Sequence, residues 1–139
     1  MDYAFKYTET SSLETESDYP YVGTANTCTY DSKKGKVKAT SVKDVTPNRP
    51  EQLKAALKLG PVSVAIQADS RVFQSYSGGV LNSQECGTEI DHGVLAVGYG
   101  KEGDLEYILV KNSWGADWGD HGFIKIALTE GKGTCGINQ

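Results

Sequence analysis

The chain has 139 residues, an ordinary apolar content of 38% and a formal net charge of −4, which suits one domain's worth of buried core and offers no basic patch for nucleic acid. No apolar run reaches the length of a transmembrane helix, and the start lacks the charged-then-apolar pattern of a signal peptide. Eight Tyr and sixteen Gly suit a β-rich, turn-rich fold, and three Cys leave at least one without a partner inside the chain.

Met1 to Tyr7 has apolar residues at 1, 4 and 5 and tyrosines at 3 and 7, which is helical spacing. No N-cap precedes it, so it reads as the tail of a longer helix whose apolar face has lost what it packed on. Thr8 to Tyr30 is polar and irregular, a loop pinned by Tyr19-Pro20-Tyr21, in which Pro20 pushes Tyr19 into an extended conformation. Cys28 lies in this loop and reads as a free thiol or one half of a bridge.

Val37 to Val45 alternates loosely and is expected to be a strand, ended by Pro47-Asn48-Arg49-Pro50. Residues 51–59 form the clearest helix. Pro50 fits the first turn, Glu51 complements the N-terminal dipole, Lys58 suits the last turn, and Gly60-Pro61 stops the helix. Leu53, Ala56 and Leu57 give it one apolar face to lay on a sheet. A strand follows at Val62–Ile66, then a helical turn over 71–76 and a short strand entered through Ser77-Gly78-Gly79-Val80. Residues 122–127 read as another strand, and 129–139 as a Gly-rich tail carrying Cys135. The order predicts an α+β fold: a mostly antiparallel sheet covered by one helix.

Between these lies the stretch Asp91 to Trp118, two apolar runs joined by the turn Gly100-Lys101-Glu102-Gly103-Asp104. Such runs pair as antiparallel strands, which brings the start of the first beside the end of the second. His92 and Asn112 are therefore expected to be neighbours. An imidazole held by a side-chain amide is two-thirds of a Cys-His-Asn site. Trp114 would shield that hydrogen bond from water, and Gly115 and Gly119 mark Ser113 to Gly119 as loop rather than helix. The second Asp-His-Gly triplet, at 120–122, leads a strand that carries Lys125 and is expected to be structural. Gly98-Tyr99-Gly100-Lys101-Glu102-Gly103 matches G-x-G-x-x-G, but it opens onto a strand, so it is no nucleotide fingerprint. No His or Cys pair has the spacing of a zinc site. A bridge between Cys86 and Cys135 would close a loop of about fifty residues, worth about 4 kcal/mol, and would need an oxidising compartment.

Asp91-His92-Gly93-Val94 running to Gly98-Tyr99-Gly100, with Lys111-Asn112-Ser113-Trp114-Gly115 and Trp118-Gly119 after it, resembles the papain-like cysteine peptidases, and among them the cathepsin L group. The likeness extends to Met1-Asp2-Tyr3-Ala4-Phe5, Tyr19-Pro20-Tyr21, Gly60 to Ile66 and Cys135-Gly136-Ile137. It implies a remnant of a left-domain helix and crossing loop over 1–30. Residues 31–139 would be the β-rich, barrel-like right domain with one packing helix. It implies His92 as base and imidazolium, Asn112 as its orienter, Trp114 as the shield, and Trp118 on the leaving-group side of the cleft. Ala65 and Ile90 would line the pocket for the substrate's apolar second side chain, with Met1 on the opposite wall. Cys86–Cys135 would be a disulfide and Cys28 the half of a bridge whose partner lies upstream.

The departure is the nucleophile. Nothing here resembles Cys-Gly-Ser-Cys-Trp at a helix start, and Cys28-Thr29-Tyr30 sits in a loop with no helix terminus to activate a thiol. The chain is thus expected to supply His and Asn, but not Cys, to a cysteine endopeptidase. It would be inactive alone, with the left domain missing. The implied partners are peptide or protein substrates and propeptide or cystatin-like inhibitors. No cofactor, metal, nucleic acid or membrane is expected, and the compartment is lysosomal, vacuolar or secreted. The alternative is a non-catalytic relative that uses the same fold to bind or scaffold.

Overall fold

Two long strands flanking a two-residue turn at Gly103-Asp104 organise the sheet. In chain order the elements are α1 (Asp2–Thr10), α2 (Pro50–Leu57), β1 (Val62–Ile66), α3 (Arg71–Gln74), β2 (Val80–Leu81), β3 (His92–Glu102), β4 (Leu105–Lys111) and β5 (Phe123–Ala127). Short 3₁₀ turns lie at Gln84–Cys86 and Thr134–Gly136. The computed structural model describes residues 1–139.

The five strands lie in the order β1-β3-β4-β5-β2, antiparallel except for the β2–β5 pair. Every second residue turns inward, as strand geometry requires. Val94 and Ala96 of β3, Ile108 and Val110 of β4, and Ile124 and Ile126 of β5 are buried. The β3–β4 register steps between Ala96, which faces Val110, and Gly98, which faces Leu109. Val97 is the extra residue, a bulge of the kind that sharpens strand twist. Pro50 stands at the first turn of α2 with Glu51 beside it, and Leu53 is its buried anchor. The helix ends at Leu57 with Lys58 as its cap, so Lys54, not Lys58, is the base of the last turn. Pro61 disfavours a helical conformation at Gly60, which closes the helix early.

The sheet is open and not barrel-like. β1 and β2 are its two edges, and β2, at two residues, is too short to carry the sheet round to β1. The Gly-rich tail over 129–139 packs against the body of the unit: Thr134, Cys135, Ile137 and Asn138 are buried. The Cys86–Cys135 disulfide holds this segment. Asn138 Nδ2 donates to the carbonyls of Thr129 (2.8 Å) and Gly131 (3.0 Å).

The chain divides into two units, Met1–Asp44 and Val45–Gln139, and the sheet belongs wholly to the second. The first unit runs on past residue 30 to Asp44. Residues 31–44 join it because Leu13 and Val37 form a bridge and Ala39 N–H donates to the Thr8 carbonyl (3.1 Å). Val37–Val45 is not a strand; that bridge is its only pairing. Interleaved Lys38, Ser41, Lys43 and Asp44 leave it no apolar face to bury. In the first unit α1 exposes Tyr3, Phe5 and Tyr7, and its buried residue, Thr8, donates from Oγ1 to the Phe5 carbonyl at 2.7 Å. No helix is long and apolar enough to cross a membrane.

Candidate active site

The β3–β4 register decides where the chemistry sits. Leu95 faces Lys111, so the residue after β4 lies beside the start of β3. His92 is the first residue of β3 and pairs with Ile66 of β1. Asn112 follows β4 and is seated by its own N–H, which donates to the Gly122 carbonyl at 3.0 Å. The loop between them is tight. Gly119 has φ +63°, and a Cβ there would lie 2.6 Å from the Phe123 carbonyl oxygen.

His92 Nε2 lies 2.8 Å from Asn112 Oδ1. The Ser113 N–H donates to the same oxygen at 2.8 Å. A backbone N–H can only donate, so the amide must turn its oxygen to that point. The imidazole nitrogen facing that oxygen must then carry hydrogen. His92 is fixed with Nε2–H toward Asn112, and Nδ1 is left as the nitrogen available to exchange a proton. Asn112 is 8% exposed, so this hydrogen bond is strengthened by low local dielectric. The same burial leaves Asn112 Nδ2 without a partner.

Trp114 stacks on the His92 ring, with centroids 5.3 Å apart and planes 27° from parallel. Trp114 in turn meets Phe73 edge-on at 5.5 Å and Trp118 at 5.3 Å. Phe73 is fully buried and anchors the group. Trp118 lies 5.0 Å from Phe73 and 6.0 Å from Tyr76, and its Nε1–H donates to the Gln74 carbonyl at 3.1 Å. These edge-on and tilted pairings are the favoured aromatic arrangements, each worth about 0.5–1.5 kcal/mol beyond area burial.

The remaining expected residues fall as follows. Ala65 is in β1, opposite Gly93. Ile90 lies just before β3 and is half-exposed. The two segments meet where Asp91 N–H donates to the Ile66 carbonyl at 3.0 Å. Met1 belongs to the other unit, ahead of α1 and half-exposed. Cys86 and Cys135 are joined, which leaves Cys28 as the free thiol, exposed in the first unit and outside any helix. His121, exposed at φ +53°, stands in the turn before β5. No cluster of three His, Cys, Asp or Glu residues is arranged to hold a metal.

Sequence reasoning missed the Ser113 N–H that sets the amide's orientation, because a backbone donor has no signature in residue types. It also missed Phe73 as the base of the tryptophan group. The signal was present: Phe73 is the one aromatic residue inside the short helical turn over 71–74.

Comparison with known proteins places the chain. A profile of the papain family cysteine proteases matches residues 1–139. The chain is 46% identical over 142 residues to the probable cysteine protease RD21C of Arabidopsis thaliana, and 43% identical over 141 residues to cathepsin L of Sarcophaga peregrina. Each match covers 99% of this chain but only 31% and 41% of those proteins, so the chain spans a third or so of the relatives' length. Among solved structures, the Carica candamarcensis cysteine protease CMS1MS2, in complex with E-64, superposes with a TM-score of 0.88 at 39% identity. That match covers 99% of this chain and 63% of the other. The bromelain protease of Ananas comosus, also with E64, gives 0.87 at 33% identity over 97% of this chain and 64% of that one. With its sheet, its His92–Asn112 pair and a profile match along its full length, the chain belongs to the papain family of cysteine proteases.

Proposed function

We propose that this chain supplies the imidazole and the orienting amide of a cysteine endopeptidase, and that the attacking thiol comes from outside these residues. The observation that carries the reading is the shared Asn112 Oδ1, which takes both His92 Nε2–H and Ser113 N–H and so commits His92 Nδ1 to proton exchange.

His92 Nδ1 takes the proton of the thiol, giving a thiolate–imidazolium pair. The thiolate attacks the carbonyl carbon of the scissile peptide bond. His92 Nδ1–H then gives its proton to the leaving amine as the C–N bond breaks. Water attacks the resulting thioester, with Nδ1 now taking the water's proton, and the acid is released. Throughout, Asn112 Oδ1 keeps Nε2–H, and that bond strengthens when the ring is charged. Trp114 excludes water from one face of the ring. Trp118 borders the leaving-group side, and Ala65 with Ile90 receives the substrate's apolar second side chain. Peptides and proteins are the substrates, with propeptide or cystatin-like chains as inhibitors. The Cys86–Cys135 disulfide supports an oxidising compartment, lysosomal, vacuolar or secreted.

Two proteins test this. The purified chain is expected to give no E-64-sensitive turnover of a fluorogenic Phe-Arg peptide; such turnover would contradict the external thiol. A chimera carries this chain in place of the matching segment of the Carica candamarcensis protease. It is expected to be active and E-64-sensitive, and to lose activity on His92→Ala. A chimera that folds but is inactive, or one indifferent to His92→Ala, would overturn the assignment.

A further inference from the structure

The geometry points to Gln67 as a positioning residue for the substrate pocket, acting through the backbone of Glu89 to hold Ile90 in place. This rests on the reading above, in which Ile90 and Ala65 receive an apolar substrate side chain.

Ile90 is half-exposed and precedes β3, so it has no strand ladder of its own. Its neighbours are tied down on both sides. Gln67 Oε1 accepts the Glu89 N–H at 2.7 Å. Asp91 N–H donates to the Ile66 carbonyl at 3.0 Å, and Asp91 Oδ1 accepts the Ala68 N–H at 2.8 Å. Gln139 Nε2 donates to the Thr88 carbonyl at 2.6 Å. Residues 88, 89 and 91 are thus each held, and Ile90 is carried between them. Of these holds, only the one on Glu89 comes from a side chain on the strip following β1, whose Ala65 forms the other part of the pocket.

The Gln67 amide is itself locked. Its Nε2 donates to Asp69 Oδ1 at 2.7 Å, and the Gln67 N–H donates to the Cys135 carbonyl at 2.8 Å. Gly87 lies against the amide at φ +74°, where a Cβ would overlap Gln67 Oε1. That glycine directly follows Cys86 of the disulfide. The bridge, the glycine and the Asp69 carboxylate fix one orientation of one side-chain amide, with its oxygen toward Glu89. A Gln so constrained converts the packing behind the pocket into the position of Ile90, without touching substrate.

The test uses three variants. Gln67→Met keeps the length and removes both hydrogen bonds. Gln67→Glu alone would set its carboxylate against that of Asp69, so it is paired with Asp69→Asn, which reverses donor and acceptor between the two side chains and keeps an acceptor for Glu89 N–H. Gly87→Ala displaces the amide without altering Gln67. In the 139-residue chain, Glu89 amide exchange is expected to speed up in Gln67→Met and Gly87→Ala and to stay near the parent's rate in the Gln67→Glu, Asp69→Asn pair. In the chimera, Gln67→Met is expected to raise KM for a Phe-Arg peptide by about three- to tenfold, the worth of one hydrogen bond, with kcat little changed. KM for an Ala-Arg peptide, which does not fill the pocket, is expected to hold, and the Gln67→Glu, Asp69→Asn pair is expected to keep the parent's Phe-Arg value. Unchanged Glu89 exchange in Gln67→Met would overturn the proposal, as would equal losses on both peptides. A folded chimera indifferent to His92→Ala overturns instead the catalytic assignment, and the exchange readout stands apart from it.

Discussion

Replacing Asn112 by Ala separates the chemical from the structural role of this side chain. The change deletes the acceptor of His92 Nε2–H at 2.8 Å and of Ser113 N–H at 2.8 Å. In the thiolate–imidazolium state the first bond has a charged donor, and such bonds contribute about 1.5–3 kcal/mol. The expected loss in kcat/KM is therefore about 10- to 150-fold, at about 1.4 kcal/mol for each factor of ten. Folding stability answers to a different balance. Orphaning the His92 Nε2–H and the Ser113 N–H is unfavourable, although Ser113 is exposed and His92 half-buried, so water can take up both donors, and the substitution also removes the buried, unpartnered Nδ2 of Asn112. A buried unsatisfied group costs about 1–3 kcal/mol, so its removal largely offsets the loss of two hydrogen bonds worth about 0.5–1.5 kcal/mol each. The assay pairs kcat/KM of the chimera on a Phe-Arg peptide with urea unfolding of the same variant. A large kinetic loss at nearly unchanged stability is expected. Full activity in Asn112→Ala, or a loss matched by an equal fall in stability, would refute the reasoning.

Trp114→Ala removes the ring stacked on His92 and exposes the His92–Asn112 bond to water; kcat/KM is expected to fall by roughly 2- to 12-fold, the worth of one aromatic pair, with added sensitivity to salt. Replacing both Cys86 and Cys135 by Ala opens a link across a separation of 49 residues and is expected to lower stability by about 4 kcal/mol, read from chemical denaturation. Lys125 is hydrogen-bonded to Glu102, which raises its pKa above the usual 10.5. A raised pKa means the folded state holds the proton more tightly, so this contribution is complete below pH 10.5 and is lost as pH rises through the folded value. Alkaline unfolding of Lys125→Met is expected to show a shallower pH dependence in that window than the parent, and identical slopes would contradict the assignment.

The sheet was legible because short apolar, β-branched-rich runs at Val62–Ile66, Leu105–Lys111 and Phe123–Ala127 are set off by Gly- and Pro-bearing turns, and the α2 signals at Pro50, Glu51 and Pro61 are local. The hairpin alone was enough to bring His92 to Asn112. What stayed hidden depends on tertiary partners. The Val97 bulge has no residue signature, and an open rather than closed sheet depends on how short β2 is. Residues 37–45 alternate only loosely, because Ser41 and Lys43 break the face begun by Val37 and Ala39, and no neighbouring strand pairs with them. The C-terminal segment reads only as a Gly-rich tail carrying Cys135, and it is ordered by one disulfide and by the Asn138 amide. At the site, residue types identified the pair, whereas the amide's orientation follows from a backbone N–H at Ser113.

The central claim is that His92 serves as the proton partner of a thiol. The rate at which iodoacetamide alkylates the chimera's catalytic cysteine near pH 6 reads that partnership without any substrate. An unassisted thiol, with a pKa near 8.5, is almost wholly protonated there. The parent chimera is therefore expected to react about 10- to 100-fold faster than its His92→Ala variant. Equal rates in the two proteins would contradict the account.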